Sequence, residues 1–300
     1  MRKFIIGSRG SDLALWQAHH MQNLLKNLGC DTEIHIIRTK GDRIQNLSFD
    51  KIEGKGFFTK EIEDALLNKV VDIAVHSHKD LETDQPEGLV IASVPGREDS
   101  RDVLLIREEL ASANDVFELR QGAVVGTSSI RRKTQLLHHA PHVSVIDLRG
   151  NVPTRIQKLR DEKYDAIVLA AAGIARLKVD LTGLRVIHLD PNIFVPAPAQ
   201  GALGIQIRED DSELESILVK TNDLQAQEEI GVERKLLNKL QGGCHLPFGA
   251  HCTKQDGSYS LHLAYARTPD EPVNYTHLKG DSSDRLIADG MSWLNTINHG

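Results

Sequence analysis

Ala123-Val124-Val125-Gly126-Thr127-Ser128-Ser129-Ile130-Arg131-Arg132 reads as a short buried strand, a glycine-led polar turn and the start of a helix. The same order recurs downstream. Val143 to Leu148 leads into Arg149-Gly150-Asn151-Val152-Pro153-Thr154-Arg155, and Ala166 to Leu169 leads into Ala170-Ala171-Ala172-Gly173-Ile174-Ala175-Arg176. It also appears upstream. Phe4 to Ile6 runs into Gly7-Ser8-Arg9-Gly10-Ser11 and a helix from about Asp12 to Leu28, Glu33 to Arg38 ends in Thr39-Lys40-Gly41-Asp42, and Asp72 to Val75 ends in His76-Ser77-His78-Lys79-Asp80. Apolar runs alternating with amphipathic stretches predict an α/β protein with mainly parallel sheets.

The chain of 300 residues exceeds one ordinary core. Val94 to Ser100 reads as a crossing into a second unit and Pro191 to Pro198 as a proline-rich return. A polar helix from about Asp210 to Leu240 stops at the paired glycines Gly242-Gly243, and the alternation of Ser258 to Tyr265 predicts a small antiparallel sheet. Aromatic residues make up only 4%, so the core is aliphatic. The net charge of −6 is the wrong sign for a protein that coats nucleic acid. Cys30, Cys244 and Cys252 are an odd, widely spaced set, which argues against a disulfide framework or a structural zinc site. No apolar run is long enough to span a bilayer, and Met1 to Gly7 turns polar at once. The expectation is a cytoplasmic protein, bound to neither membrane nor nucleic acid, and a monomer.

Six strands end in polar or glycine-bearing loops, several of which open a helix. Ligands of open α/β sheets bind outside the carboxyl ends of the strands, where helix N-termini favour anions. Arg9, Arg131, Arg132, Arg149, Arg155 and Arg176 stand in those loops. Arginine presents a planar fork matched to carboxylate and phosphate. Any one of these arginines alone reads more readily as a surface salt bridge, but their joint placement predicts an anion-binding site. Ser11, Ser128 and Ser129 read equally well as helix caps and as hydroxyl donors to the anion. The polar stretch from Thr39 to Gly56, with Lys40, Arg43, Lys51 and Lys55, reads either as a solvated loop or as a flap, and Lys60 follows it. His76 and His78 lie two apart, but no further ligand stands near them in sequence, so no metal is expected.

The same loops carry a resemblance. Gly126-Thr127-Ser128-Ser129-Ile130-Arg131-Arg132, Arg149-Gly150-Asn151-Val152 with Thr154-Arg155, His76-Ser77-His78-Lys79-Asp80-Leu81, Gly54-Lys55-Gly56-Phe57-Phe58, Gln200-Gly201-Ala202 and Gly242-Gly243-Cys244 occur in order. At this spacing the chain resembles the hydroxymethylbilane synthase (porphobilinogen deaminase) family from Arg9 to Cys244. The resemblance implies two periplasmic-binding-protein-like α/β domains flanking a cleft, plus a small α+β C-terminal domain. The expected boundaries are 1–97 and 197–219 for the first domain, 98–196 for the second and 220–300 for the third.

It also implies a reaction: four porphobilinogen units, each with an acetate and a propionate, joined head to tail into hydroxymethylbilane with release of ammonia. The family's dipyrromethane cofactor would be held on Cys244 through a thioether. Asp80 matches the catalytic carboxylate; without the resemblance it reads as a cap or as a loop partner of Lys79. Lys79, Thr127, Ser128, Ser129, Arg131, Arg132, Arg155, Gly173 and Arg176 fall to the cofactor. Arg9, Ser11, Lys55, Arg149, Arg155 and Gln200 fall to the substrate. Cys30 and Cys252 read as buried small hydrophobes.

The sequence departs from the family pattern in places. His78 stands where an apolar residue is usual, Glu82 where proline is common, Pro198-Ala199 for a more usual Val-Gly, and Gln241 for a glutamate. Two other classes fit an anion site between α/β domains. A solute-binding module or regulator domain needs neither Asp80 nor Cys244, and a phosphate-using enzyme would be expected to show G-x-x-x-x-G-K-[ST] or G-x-G-x-x-G, which are absent.

Overall fold

The computed structural model describes residues 2–39, 59–240 and 246–299. Their chain divides into two compact units, with boundaries at 98/99, 200/201 and 227/228.

The first unit is built on a five-stranded sheet. Its strands are β1 (Lys3–Ser8), β2 (Asp31–Ile36), β3 (Ile73–Ser77), β4 (Leu89–Ser93) and β10 (Leu203–Arg208), in the order β2-β1-β3-β10-β4. Helix α1 (Asp12–Asn27) starts where the Ser11 hydroxyl accepts the Ala14 N–H and turns out at Gly29, whose φ is +80°. It buries Ala18, Met21 and Leu25 against Phe4, Ile6 and Ile205. Helix α2 (Lys60–Leu67) covers the other face with Ile62 and Leu66.

The second unit repeats the plan. Strands β5 (Asp102–Arg107), β6 (Val124–Gly126), β7 (Ser144–Ile146), β8 (Ala166–Ala170) and β9 (Leu184–His188) are ordered β7-β6-β8-β5-β9. Helices α3 (Ile130–His139), α4 (Val152–Arg160) and α5 (Ala171–Leu177) follow β6, β7 and β8. A third sheet belongs to the same unit. It is an antiparallel meander of β11 (Phe248–Gln255), β12 (Ser258–Tyr265) and β13 (Asn274–Gly280), whose core also takes in Val232 and Leu236 before the meander and Leu286 and Leu294 after it.

The sheets are less parallel than the sequence predicts. β1 runs parallel to β2 and β3, and β6 to β7 and β8, but β10 is antiparallel to β3 and β4, and β5 to β8 and β9. β5 and β10 are the strands that begin just after the chain passes from one unit to the other. No crossover helix precedes them, so nothing forces them parallel to their neighbours.

At the amino ends of the strands each sheet is closed by the same device. Asp72, just before β3, exchanges backbone and side-chain bonds with Ile5 of β1 (Asp72 N to Ile5 O, 2.8 Å; Ile5 N to Asp72 Oδ2, 2.9 Å), while Arg2 and Arg208 donate to its Oδ1. Asp165, just before β8, does the same with Val124 of β6 (both 2.9 Å) and takes Arg107 and Arg120 at 3.4 Å each. Burial alone would raise both carboxyls; the backbone N–H and the arginines outweigh it and hold them low.

The return segment explains one departure from the family pattern. Ala199 is fully buried with φ +61°, a left-handed conformation that costs a non-glycine residue roughly 1–2 kcal/mol. Its N–H is held by Glu233 Oε2 at 2.7 Å, and the other oxygen of Glu233 takes the Cys252 N–H at 2.7 Å. Glycine suits this position, and here a buried carboxylate supports alanine in its place.

Asp165→Ala removes an acceptor from a strand N–H and from two arginines, and is expected to cost about 2 kcal/mol. Asp165→Asn keeps the acceptor for Val124 and should cost less. Urea unfolding of both variants tests this; equal losses would show that the backbone bond is not what matters.

Candidate active site

In the second sheet the parallel trio β7-β6-β8 brings three loops to one end. These loops are 127–129, 147–151 and the β8–α5 junction at Ala170-Ala171. Thr127, Ser128, Ser129, Arg131, Arg132, Arg149, Arg155 and Gly173 therefore stand in or just after the loops at the carboxyl end of a single sheet, with Arg176 in the last turn of α5. In the first sheet β1 and β3 likewise place Arg9 and Ser11 beside the 3₁₀ turn His78–Asp80. Lys55 and Cys244 lie outside the described residues. Lys60 is exposed at the start of α2.

Local sequence dictates these loops. The Ser129 hydroxyl caps α3 by accepting the Arg132 N–H (3.4 Å), and the Thr127 hydroxyl accepts the Ser129 N–H (3.2 Å). An accepting hydroxyl keeps its own hydrogen to donate, so capping and ligand binding are compatible. Ser128 differs, since its hydroxyl both donates to Leu148 O and accepts Leu148 N–H at 3.0 Å, tying the β6 loop to the β7 loop. Asn151 caps α4 through the Thr154 N–H, and Gly150 has φ +115° with no room for a side chain, since a Cβ would sit 2.7 Å from Thr154. Lys158 Nζ binds Arg149 O and Arg155 Nε binds Gly150 O, which fixes the loop that carries both arginines.

The centre of this group is a residue that sequence reasoning missed. Asp102, fully buried at the start of β5, accepts Arg131 Nη1 on one oxygen (2.7 Å) and Arg132 Nε (3.0 Å), Arg132 Nη2 (2.8 Å) and Gln200 Nε2 (2.9 Å) on the other. Arg131 and Arg132 are themselves about 5% exposed. Burial alone would raise the Asp102 carboxyl; the two guanidinium charges and the hydrogen bonds from Arg131 and Gln200 hold it well below the usual carboxylate range. One signal in the sequence pointed to it: a carboxylate opening the apolar run Val103 to Ile106 needs a buried cation. Gln200 is buried, with its amide given to Asp102 and to Ser100 O.

The turn bearing Asp80 is pinned from below. The last two residues of β3 face opposite sides of the sheet. On one side Gln17 of α1 donates to Ser77 Oγ at 2.8 Å. On the other, His76 Nε2 meets Gln206 Oε1 at 3.2 Å, and Gln206 Nε2 donates to Glu63 Oε1 (3.2 Å) and Gln85 Oε1 (2.8 Å). With the amide hydrogens of Gln206 directed to those carbonyl and carboxylate oxygens, its own oxygen faces the imidazole, so Nε2 of His76 carries the proton. His78 N–H binds Ala202 O, and its ring packs so closely on Gly204 that a Cβ there would lie 2.6 Å away. That packing explains why an apolar residue usually suits this position. Asp80 itself is exposed beyond this base, with Lys79 half-buried beside it. Among the described residues no three His, Cys, Asp or Glu side chains gather as a metal site, and no helix is long and apolar enough to cross a membrane.

Fold and site together define a duplicated α/β protein with cationic loops at the carboxyl ends of its strands and an exposed carboxylate on one of them. A family model described as the dipyrromethane cofactor binding domain of porphobilinogen deaminase matches residues 4–216. Porphobilinogen deaminases of Bacillus thuringiensis (strain Al Hakam) and Bacillus anthracis are each 42% identical over 310 residues, covering 98% of this chain and 97% of theirs. The chain belongs to the porphobilinogen deaminase family. Among solved structures it is similar to the Bordetella pertussis BvgS VFT2 domain (16% identity, TM-score 0.46, covering 78% of this chain and 91% of that one). It is also similar to an ancestral arginine-binding protein bound to glutamine (17%, TM-score 0.40, 80% and 98%).

Burial pulls the His76 imidazole down to about 4; the Gln206 oxygen opposes this and the nearby Arg9 charge adds to it. An unfolded chain takes that proton near pH 6.5. The neutral, buried ring therefore contributes fully above pH 6.5, and about 3 kcal/mol of stability is lost as pH falls from 6.5 to 4. Urea unfolding across this window should show a steeper acid loss in the wild type than in His76→Gln; identical slopes would mean that His76 is not the group titrating.

Proposed function

We propose that this chain is a hydroxymethylbilane synthase. It condenses four porphobilinogen units head to tail, releasing ammonia at each step, from a dipyrromethane primer held as a thioether on Cys244. The observation that supports this reading is the set of arginines on the second sheet, two of them buried against Asp102, in a chain that also carries an exposed strand-end carboxylate, Asp80. Porphobilinogen and the primer bear an acetate and a propionate on every ring. The arginines Arg131, Arg132, Arg149, Arg155 and Arg176, with Asp102 bonded to the first two, suit such a ligand. Dipyrromethane, when bound, supplies the electron-rich pyrrole carbon to which the first substrate unit is joined.

The remaining steps belong to the side chains. Porphobilinogen loses its amine by cleavage of the exocyclic C–N bond, and a proton must reach the nitrogen as it leaves. Asp80 donates that proton and, once ionised, stands beside the cationic methylene-pyrrole. A C–C bond would form between that methylene and the acceptor pyrrole carbon, and Asp80 takes up the ring proton that is lost. Lys79 beside Asp80 meets a cofactor carboxylate. Arg9, Arg149 and Arg155 orient the incoming unit through its carboxylates, with Ser11 and Lys55. Arg131, Arg132 and Arg176 hold the primer, with Thr127, Ser128, Ser129 and the backbone at Gly173 around it. Gln200 serves the substrate side through the clamp on Asp102. The reading includes the three-domain division at 97/98, 196/197 and 219/220, a monomer working in the cytoplasm, and no nucleic-acid partner.

Asp80→Asn is expected to keep the fold and the covalent primer while lowering kcat for ammonia release by about 100-fold or more. Near-normal turnover would remove Asp80 from the chemistry. Cys244→Ser should lack the added mass of two linked pyrroles on the intact protein. Arg149→Leu should raise KM for porphobilinogen about tenfold or more, whereas Arg120→Leu, at the opposite strand end beside Asp165, should leave it unchanged; equal effects would refute the anion-binding role.

A further inference from the structure

We infer that Asp102 is a positioning residue. It sets the guanidinium groups of Arg131 and Arg132 in the one arrangement that receives a primer carboxylate, and it leaves the triad one net positive charge for that carboxylate. The inference rests on the proposed reading that these arginines hold the primer.

One carboxylate collects three side chains from two distant segments: Arg131 and Arg132 from α3, and Gln200 from the return segment. Each is also tied to a backbone carbonyl. Arg131 Nη1 donates to Val195 O at 2.8 Å, Arg132 Nη1 to Val168 O at 3.1 Å and Gln200 Nε2 to Ser100 O at 2.8 Å. The Arg131 guanidinium also lies over the Phe194 ring, 6.0 Å from its centroid. Arginine side chains are long and rotamer-rich, and ordering them is a main cost of binding with them. Here bonds within the protein supply that ordering.

Charge alone makes the opposite prediction, which is what allows a test. Two guanidinium groups and one carboxylate sum to +1. Replacing Asp102 with asparagine raises the sum to +2 and, were Asp102 only a counter-charge, would strengthen the hold on an anion among molecules that remain folded. A positioning role predicts weaker binding despite the greater positive charge.

The experiment uses full-length apo-protein made without porphobilinogen. The protein is incubated with porphobilinogen at a temperature where circular dichroism shows it folded, and two-pyrrole adduct formation is followed by intact mass. Asp102→Asn should need at least tenfold more porphobilinogen for half-maximal adduct. An unchanged or lower requirement would overturn the inference. Gln200→Met provides a variant that leaves no charge uncompensated, should Asp102→Asn fail to fold. It should need about threefold more porphobilinogen with its urea midpoint little changed, and wild-type loading in it would overturn the inference as well. Wild-type apo-protein is the control for the underlying reading. If it forms no adduct, the primer assignment fails; if it loads and Asp102→Asn loads as readily, the Asp102 role alone fails.

Discussion

The architecture depends on how the two ends of each sheet satisfy their polar groups. At the amino ends, Asp72 and Asp165 close the first turn against the neighbouring strand and are locked by arginines. At the carboxyl ends the chain instead leaves helix starts capped by Ser11, Ser129 and Asn151, with arginines close behind the caps. The same pair of solutions recurs in both units, so the second sheet restates the first in its pairing order and in its strand-end bolt.

The units differ in what their carboxyl ends carry. The second has Arg131, Arg132, Arg149, Arg155 and Arg176, with the carboxylate of Asp102 buried between the first two. Burying two guanidinium groups without Asp102 would be severely destabilising, since an uncompensated buried charge costs several kcal/mol. The triad therefore anchors the fold and is cationic at once, and one set of bonds serves both needs. The first unit has Arg9 and Lys79 near Asp80, and its buried polar groups, Gln17 and Gln206 with His76 and Glu63, lie beneath the turn.

Much of this was legible in the sequence. The polar turns after short apolar runs located the strand ends, and Ser11 and Ser129 cap helices as their residue type allows, whereas Ser128, read the same way, bridges to Leu148 and the cap Asn151 was not singled out. The antiparallel course of β5 and β10 was not legible, because it follows from where the chain passes between units and not from any local period. Nor were Asp102 and Gln206 recognised as centres of networks. Gln206 meets His76 across 130 positions, and Asp102 meets Gln200 across 98. Polar residues inside apolar strands do signal that a partner exists, but sequence does not say which one. Cys244 is a different case: nothing in its glycine turn separates a primer anchor from an ordinary small hydrophobe, and only the family motif does.

Two aspartates at strand ends stand in opposite surroundings. Asp102 sits between two guanidinium groups that hold it ionised far below neutral pH, so it has no proton to give. Any carboxylate placed among buried arginines shares that fate. Asp80 stands on an exposed turn of the other sheet, and no arginine is bonded to it among the described contacts. In the proposed reaction this carboxyl group protonates a leaving amine and then stands as an anion beside a cation. Beneath its turn, β3 is held by the side-chain amides of Gln17 and Gln206, where the start of β5 is held by the ion pairs of Asp102.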